Sequence, residues 1–173
     1  MNPDLDGKTH INISSDGKTE LGKKLDEFHV EAFIHPVHGI FQHVVGLKCY
    51  LRTGCRDNSY RWLEPAVAIE RFTAADKVWM KYYMYNVRLG YLAKVIQSTD
   101  LARDIAGSRL PFSLYRMKEN EDGTLYASSK GRDNLTIDMW TSVRDHLHTD
   151  PAGIGKELFT ILNKLGYVQP VSA

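Results

Sequence analysis

Between Asp76 and Ser98, apolar side chains recur at Val78, Tyr82, Tyr85, Leu89, Leu92 and Ile96. Steps of four and three residues put all of them on one face of a helix. A face that long has to be covered by other elements, so this stripe constrains the fold more than any other stretch. It predicts a helix over 76–98 with one buried side. Thr73 and Asp76 stand at the spacing of a capping box, with Asp in place of the usual Glu.

The surrounding segments are shorter. Ile11 and Ile13 alternate with polar neighbours and predict a short strand. Thr19 is positioned to cap a helical turn carrying Leu21, Leu25 and Phe28. Val30, Ala32 and Ile34 alternate along 29–34, which predicts a strand with those three on one side, broken by Pro36 and Gly39. Val44, Leu47 and Leu51 follow helical spacing up to Gly54, and Pro65 makes 60–72 a broken or late-starting helix. Thr99 can cap a short helix ending near Gly107. Extended residues at 114–118 and 124–127 flank Asp122-Gly123 as a hairpin. Asn134 caps a helix bearing Trp140, Val143 and Leu147. Asp150-Pro151 opens a last one bearing Leu158, Ile161, Leu162 and Leu165, closed by Gly166. No repeat, low-complexity run or linker divides the chain. The expectation is one α-rich α+β domain over 1–173, with a small β component, a helical C-terminal part and a partly flexible segment at 1–18.

A chain of 173 residues can bury one core without disulfides or metals. Its 22 basic and 21 acidic side chains leave a net charge of +1, which excludes a polybasic or acidic-tail protein but not a local basic face. Cys49 and Cys55 are neither a Cys-x-x-Cys pair nor a disulfide framework, so two free thiols in a reducing compartment are expected. No signal peptide and no run of about 18 apolar residues is visible. The expectation is a cytoplasmic protein with no membrane partner.

The N-terminal third carries a more specific pattern. Ile11-Asn12-Ile13, Leu25-Asp26-Glu27-Phe28 and Val44-Val45-Gly46-Leu47 follow in that order, with Arg52 behind them. This series resembles the NADAR family, which includes YbiA-like N-glycosidases. Phage-encoded members are similar in Ile-Asn-Ile, Leu-Ser-Asn-Phe and Met-Glu-Gly-Phe elements followed by Leu-Lys. Leu110-Pro111-Phe112 and Ile137-Asp138-Met139-Trp140 are weaker echoes. The resemblance implies a NADAR/YbiA-like fold that handles ribosyl–nitrogen bonds, with phosphorylated riboflavin intermediates and ADP-ribosylated guanine among the family's substrates. It also implies host cytoplasm for a viral chain.

Cleaving an N-glycosidic bond passes through an oxocarbenium-like sugar, and a carboxylate must stabilise that charge or activate water. The family's Glu precedes its Gly; here that position is Val45, and Arg52 stands for the family's lysine. The resemblance therefore implies a pocket whose usual acid is gone. Glu27 is the candidate catalytic residue, a relocated carboxylate; the plainer alternative is that Asp26 and Glu27 are solvated charges at a helix end. Asp26, Phe28, Val45, Gly46, Lys48, Arg52 and Trp62 are the candidate ligand-binding residues. Arg52 offers a fork suited to phosphate, Lys48 adds charge one turn earlier, and Trp62 can stack on a ring. Trp79, Trp140, Tyr82, Tyr83 and Tyr85 could also stack a base or a flavin-like ring, but aromatics at helical spacing read more readily as core. His35, His38 and His43 match no zinc spacing, so neither metal nor cofactor is expected.

Three functions follow from this pattern. The first is a phage counter-defence protein that opposes nucleic-acid ADP-ribosylation by binding an ADP-ribose-like or nucleotide ligand, ADP-ribosylated DNA, or the host ADP-ribosyltransferase. The second is an active N-glycosidase using Glu27, or Glu64 or Glu70. The third is a protein–protein inhibitor that keeps only the scaffold.

Overall fold

The computed structural model describes residues 2–129 and 134–167; of the expected span, residues 1, 130–133 and 168–173 lie outside this description. In chain order the elements are β1 (Ile11–Asn12), α1 (Glu20–Leu25), β2 (Phe33–His35), β3 (Gly39–Phe41), α2 (Val44–Arg52), α3 (Pro65–Ala74), α4 (Tyr83–Gln97), α5 (Thr99–Gly107), β4 (Phe112–Ser113), β5 (Arg116–Glu119), β6 (Leu125–Ser128), α6 (Leu135–Thr149) and α7 (Gly153–Lys164). Short 3-10 turns lie at Pro3–Leu5 and Asn58–Arg61. The strands pair two by two: β1 with β4 in parallel, β2 with β3 and β5 with β6 antiparallel. The chain is α-rich α+β, and one buried hydrophobic cluster runs from Ile11 to Ile161. Among the described residues no helix is long and apolar enough to cross a membrane.

The stripe that predicted a helix over 76–98 marks the central element, with two corrections. The helix starts at Tyr83, not near Asp76. Residues before it are drawn elsewhere: the Val78 N–H donates to the Arg52 carbonyl at 2.7 Å, satisfying an end of α2. Thr73 makes no capping box, because it lies inside α3 and its hydroxyl donates to the Ile69 carbonyl. The second correction concerns the face. Every residue from Asn86 to Val95 is buried, whereas Val78, Tyr82, Tyr85 and Ile96 are exposed. A helix buried all round sits among other elements rather than on top of them, and α4 packs against β2, α2, α5, α6 and α7. Its buried charges have partners. Arg88 donates to both oxygens of Glu157 on α7 at 2.8 Å and to Ser142 on α6. Lys94 lies 3.4 Å from Glu31, and burial pushes its ammonium below its usual value.

Most short elements start and stop for local reasons. The Thr19 hydroxyl accepts the Gly22 N–H at 3.0 Å and caps α1. Pro65 opens α3, and Gly54, Gly123 and Gly166 take the positive φ that ends α2, turns the β5–β6 hairpin and closes α7. α5 is capped by Ser98 rather than Thr99, and α7 begins two residues after Pro151. The face expected for 29–34 is reversed: Phe33 and His35 point to the core, while Ile34 is 57% exposed and Val30 is exposed too. Phe33 stacks on Phe41 of β3, and the Ile34 backbone pairs with the Gln97 side chain at 2.8 Å. The segment at 2–18 is tied to the body: β1 pairs with β4, the Tyr115 N–H donates to the Asn12 side-chain oxygen at 3.0 Å, and His10 bonds the Tyr115 hydroxyl at 3.0 Å.

The histidine cluster is structural. His35 bonds the Asn86 carbonyl at 2.9 Å, and His38 bonds the Asn86 side chain at 3.1 Å. The His43 ring caps α2 by accepting the Gly46 N–H and donating to the Leu63 carbonyl. Burial lowers His35 from its ordinary 6.5 to about 4. Between those values the unfolded chain takes up a proton that the folded one refuses, so stability falls as pH drops from 6.5 towards 4. This ring alone contributes a slope of up to about 1.4 kcal/mol per pH unit. Urea midpoints of wild type and His35→Gln across that range check it: the variant is expected to show the shallower pH dependence, and parallel curves contradict it.

Candidate functional site

The site is assembled by the turn after α1. The Asp26 carboxylate accepts the Ser15 N–H at 2.7 Å and the Phe28 N–H at 3.1 Å, which fixes the turn. The Glu27 carbonyl then accepts the Val45 N–H at 3.2 Å, one of the donors that the first turn of α2 leaves free. Glu27 is thereby brought beside Val45. Its Oε1 accepts hydrogen bonds from the Lys48 ammonium, the Tyr91 hydroxyl and, at 2.6 Å, the Thr136 hydroxyl. The Glu27 side chain is only 15% exposed. Burial and the adjacent Glu27 charge hold the Tyr91 phenol well above its ordinary value, so it stays protonated and donates.

A cavity of about 350 Å³ opens here. One face of α2 supplies Val45, Lys48, Cys49 and Arg52, spaced three and four residues apart. Glu27 and Phe28 line it from the turn, and Ile69 and Phe72 from α3. Lys77 and Tyr83 complete it. The Arg52 guanidinium lies over the Tyr83 ring at 5.5 Å, and the Lys77 ammonium over Phe72 at 5.2 Å. Neither cation forms an ion pair among the described residues. Burial pushes the Cys49 thiol up to about 11, which makes it an apolar wall rather than a nucleophile.

Five of the sequence candidates, Glu27, Phe28, Val45, Lys48 and Arg52, thus line one cavity. The other three do not. Asp26 is buried, spends its carboxylate on backbone groups and lies 3.6 Å from Arg116, so it is a structural acid; neither it nor Glu27 is a solvated helix-end charge. Gly46 is a packing residue: a Cβ there would stand 2.3 Å from the Tyr60 carbonyl oxygen. Trp62 is 58% exposed and outside the cavity lining. Glu64 and Glu70 are exposed and equally outside it.

Tyr91 and Thr136 were missed by sequence reasoning, together with Phe72 and Lys77, while Tyr83, which read more readily as core, lines the cavity. Tyr91 stands off the predicted stripe, so its signal appears only once α4 is seen to be buried all round. A phenol inside a helix buried on all sides must find a hydrogen-bond partner. Thr136 carried none, because it lies 109 residues from Glu27 in the chain. Among the described residues no group of three or more His, Cys, Asp or Glu side chains converges as a metal set. No protein-family model, curated protein or solved structure matches the chain.

Proposed function

We propose that this chain is a NADAR-like domain whose cavity binds an ADP-ribosyl or related nucleotide group and thereby counteracts nucleic-acid ADP-ribosylation. The observation that carries the reading is the convergence, around one cavity, of several aromatic faces and two cations that form no ion pair among the described residues. Arg52 and Lys77 suit phosphate oxygens, while Phe28, Phe72 and Tyr83 suit a sugar or base face. The volume falls within the roughly 300–1,000 Å³ of small-ligand sites. Phage-like residues in the N-terminal pattern support a counter-defence role in a host cytoplasm.

One observation favours a second reading, an active N-glycosidase. The Glu27 carboxylate lines the cavity beside Val45, close to where the family resemblance expects an acid. A carboxylate there can stabilise an oxocarbenium-like sugar as the bond from its anomeric carbon to nitrogen breaks and the electron pair leaves with nitrogen. Water then adds to the sugar and gives its proton to the departing base. Because Oε1 already accepts three hydrogen bonds, electrostatic stabilisation fits Glu27 better than proton abstraction.

Incubation of the pure protein with ADP-ribosylated DNA separates the two readings, with binding and mass-spectrometric release of ADP-ribose followed in parallel. Binding without release supports the first, and release supports the second. Neither would remove both and point to a protein partner such as an ADP-ribosyltransferase. Arg52→Ala is expected to weaken ADP-ribose binding roughly tenfold, as loss of a charged hydrogen bond does. Unchanged affinity by calorimetry would take Arg52 out of the site.

A further inference from the structure

A second groove of about 440 Å³ adjoins the first and shares Arg52, Lys77 and Tyr83 with it. It follows the irregular run that replaces the expected start of α4. Lys77, Trp79 and Lys81 alternate along that run, and Met80 and Met84 add soft apolar surface. Trp79 is 81% exposed, far more than a packing role explains. Lys81 lies over the Tyr82 ring at 5.2 Å. Arg52, Lys77 and Lys81 form no ion pairs among the described residues, and the groove lining contains no carboxylate.

Cations interleaved with an exposed indole are the parts a single nucleic-acid strand uses: phosphates track the charges and a base stacks on the aromatic face. We propose that the Lys77–Lys81 run with Arg52 is a binding surface for single-stranded nucleic acid, leading into the cavity lined by Glu27. An acidic peptide would use the charges, but its carboxylates offer nothing to stack on Trp79, whereas every unit of a nucleic-acid strand carries a base beside its phosphate. A duplex would hide its base faces from it. The surface requires no modification on the strand, so it can fail or stand separately from the ADP-ribosyl reading.

The test is fluorescence anisotropy of the full chain with an unmodified, labelled oligothymidine of roughly 12 nucleotides, titrated between about 50 and 200 mM salt. Binding that weakens with salt is expected, and Trp79→Ala should weaken it roughly tenfold. The double variant Lys77→Gln/Lys81→Gln should flatten the salt dependence by about 1.4 in log–log slope, two phosphate contacts' worth. These three side chains are exposed, so unchanged melting temperatures are expected for both variants. No binding by wild type, equal affinity for the matching duplex, or binding indifferent to both variants would each overturn the proposal.

Discussion

Gly46→Ala is expected to cost about 3 kcal/mol or more, at the upper end of what overpacking a core does. The ideal Cβ would stand 2.3 Å from the Tyr60 carbonyl oxygen and 3.1 Å from His43 Cε1. The first contact is with backbone, and Tyr60 is itself buried, so neither partner can swing aside. Helix α2 or the turn at Asn58–Arg61 has to move, and the His43 cap is strained with it. The better helix propensity of alanine returns only about 1 kcal/mol. For a chain of this size the melting temperature should fall by about 6–12 °C. Gly155→Ala on α7 is the internal control: nothing lies within 4 Å of its Cβ, and it should melt at or slightly above wild type. Melting of Gly46→Ala within a degree or two of wild type would show that α2 does not pack against this turn as described. Because α2 carries Val45, Lys48, Cys49 and Arg52, a destabilised Gly46→Ala would also lose ligand affinity without touching the ligand.

That glycine shows where the sequence stops being legible. Most elements of the N-terminal third could be read from spacing and caps, though not β3 or the His43 cap, and so could the helical face on which Val45, Lys48 and Arg52 lie. Whether each residue there meets ligand or protein could not, because that depends on what crosses above it. Gly46 meets Tyr60, fourteen residues on, and only the folded geometry brings them together. The long stripe misled in a related way. Periodicity detects a helix with one wet side, whereas α4 is buried all round over Asn86–Val95, and the polar residues there are satisfied by distant partners such as Glu157 and Glu31. The exposed Val78 and Tyr82 extended the pattern past the true start of the helix. Of the three-residue strands only β2 was legible, and only as alternation: a pattern this short could not tell the side of Phe33 from the side of Ile34.

Glu27→Ala should lower stability by roughly 3 kcal/mol, since removing one member of a mostly buried ion pair strands the rest. Lys48 is 18% exposed and can turn its ammonium towards water in the cavity, which limits the loss. Tyr91 has no such escape, being fully buried, and an unsatisfied hydroxyl there accounts for about 1–3 kcal/mol of the total. Glu27→Gln keeps an oxygen for Tyr91 and Thr136 and gives up only the charge, so it should melt closer to wild type. That makes the glutamine variant the informative one for function. If the cavity only binds an anionic nucleotide, removing a negative charge from its wall should leave affinity unchanged or improve it. If Glu27 stabilises a developing oxocarbenium, release of ADP-ribose should drop by about 10²–10⁴-fold while binding persists. Unaltered release by Glu27→Gln would remove Glu27 from the chemistry. Unaltered melting of Glu27→Ala would mean that Lys48, Tyr91 and Thr136 do not depend on its carboxylate for their hydrogen bonds.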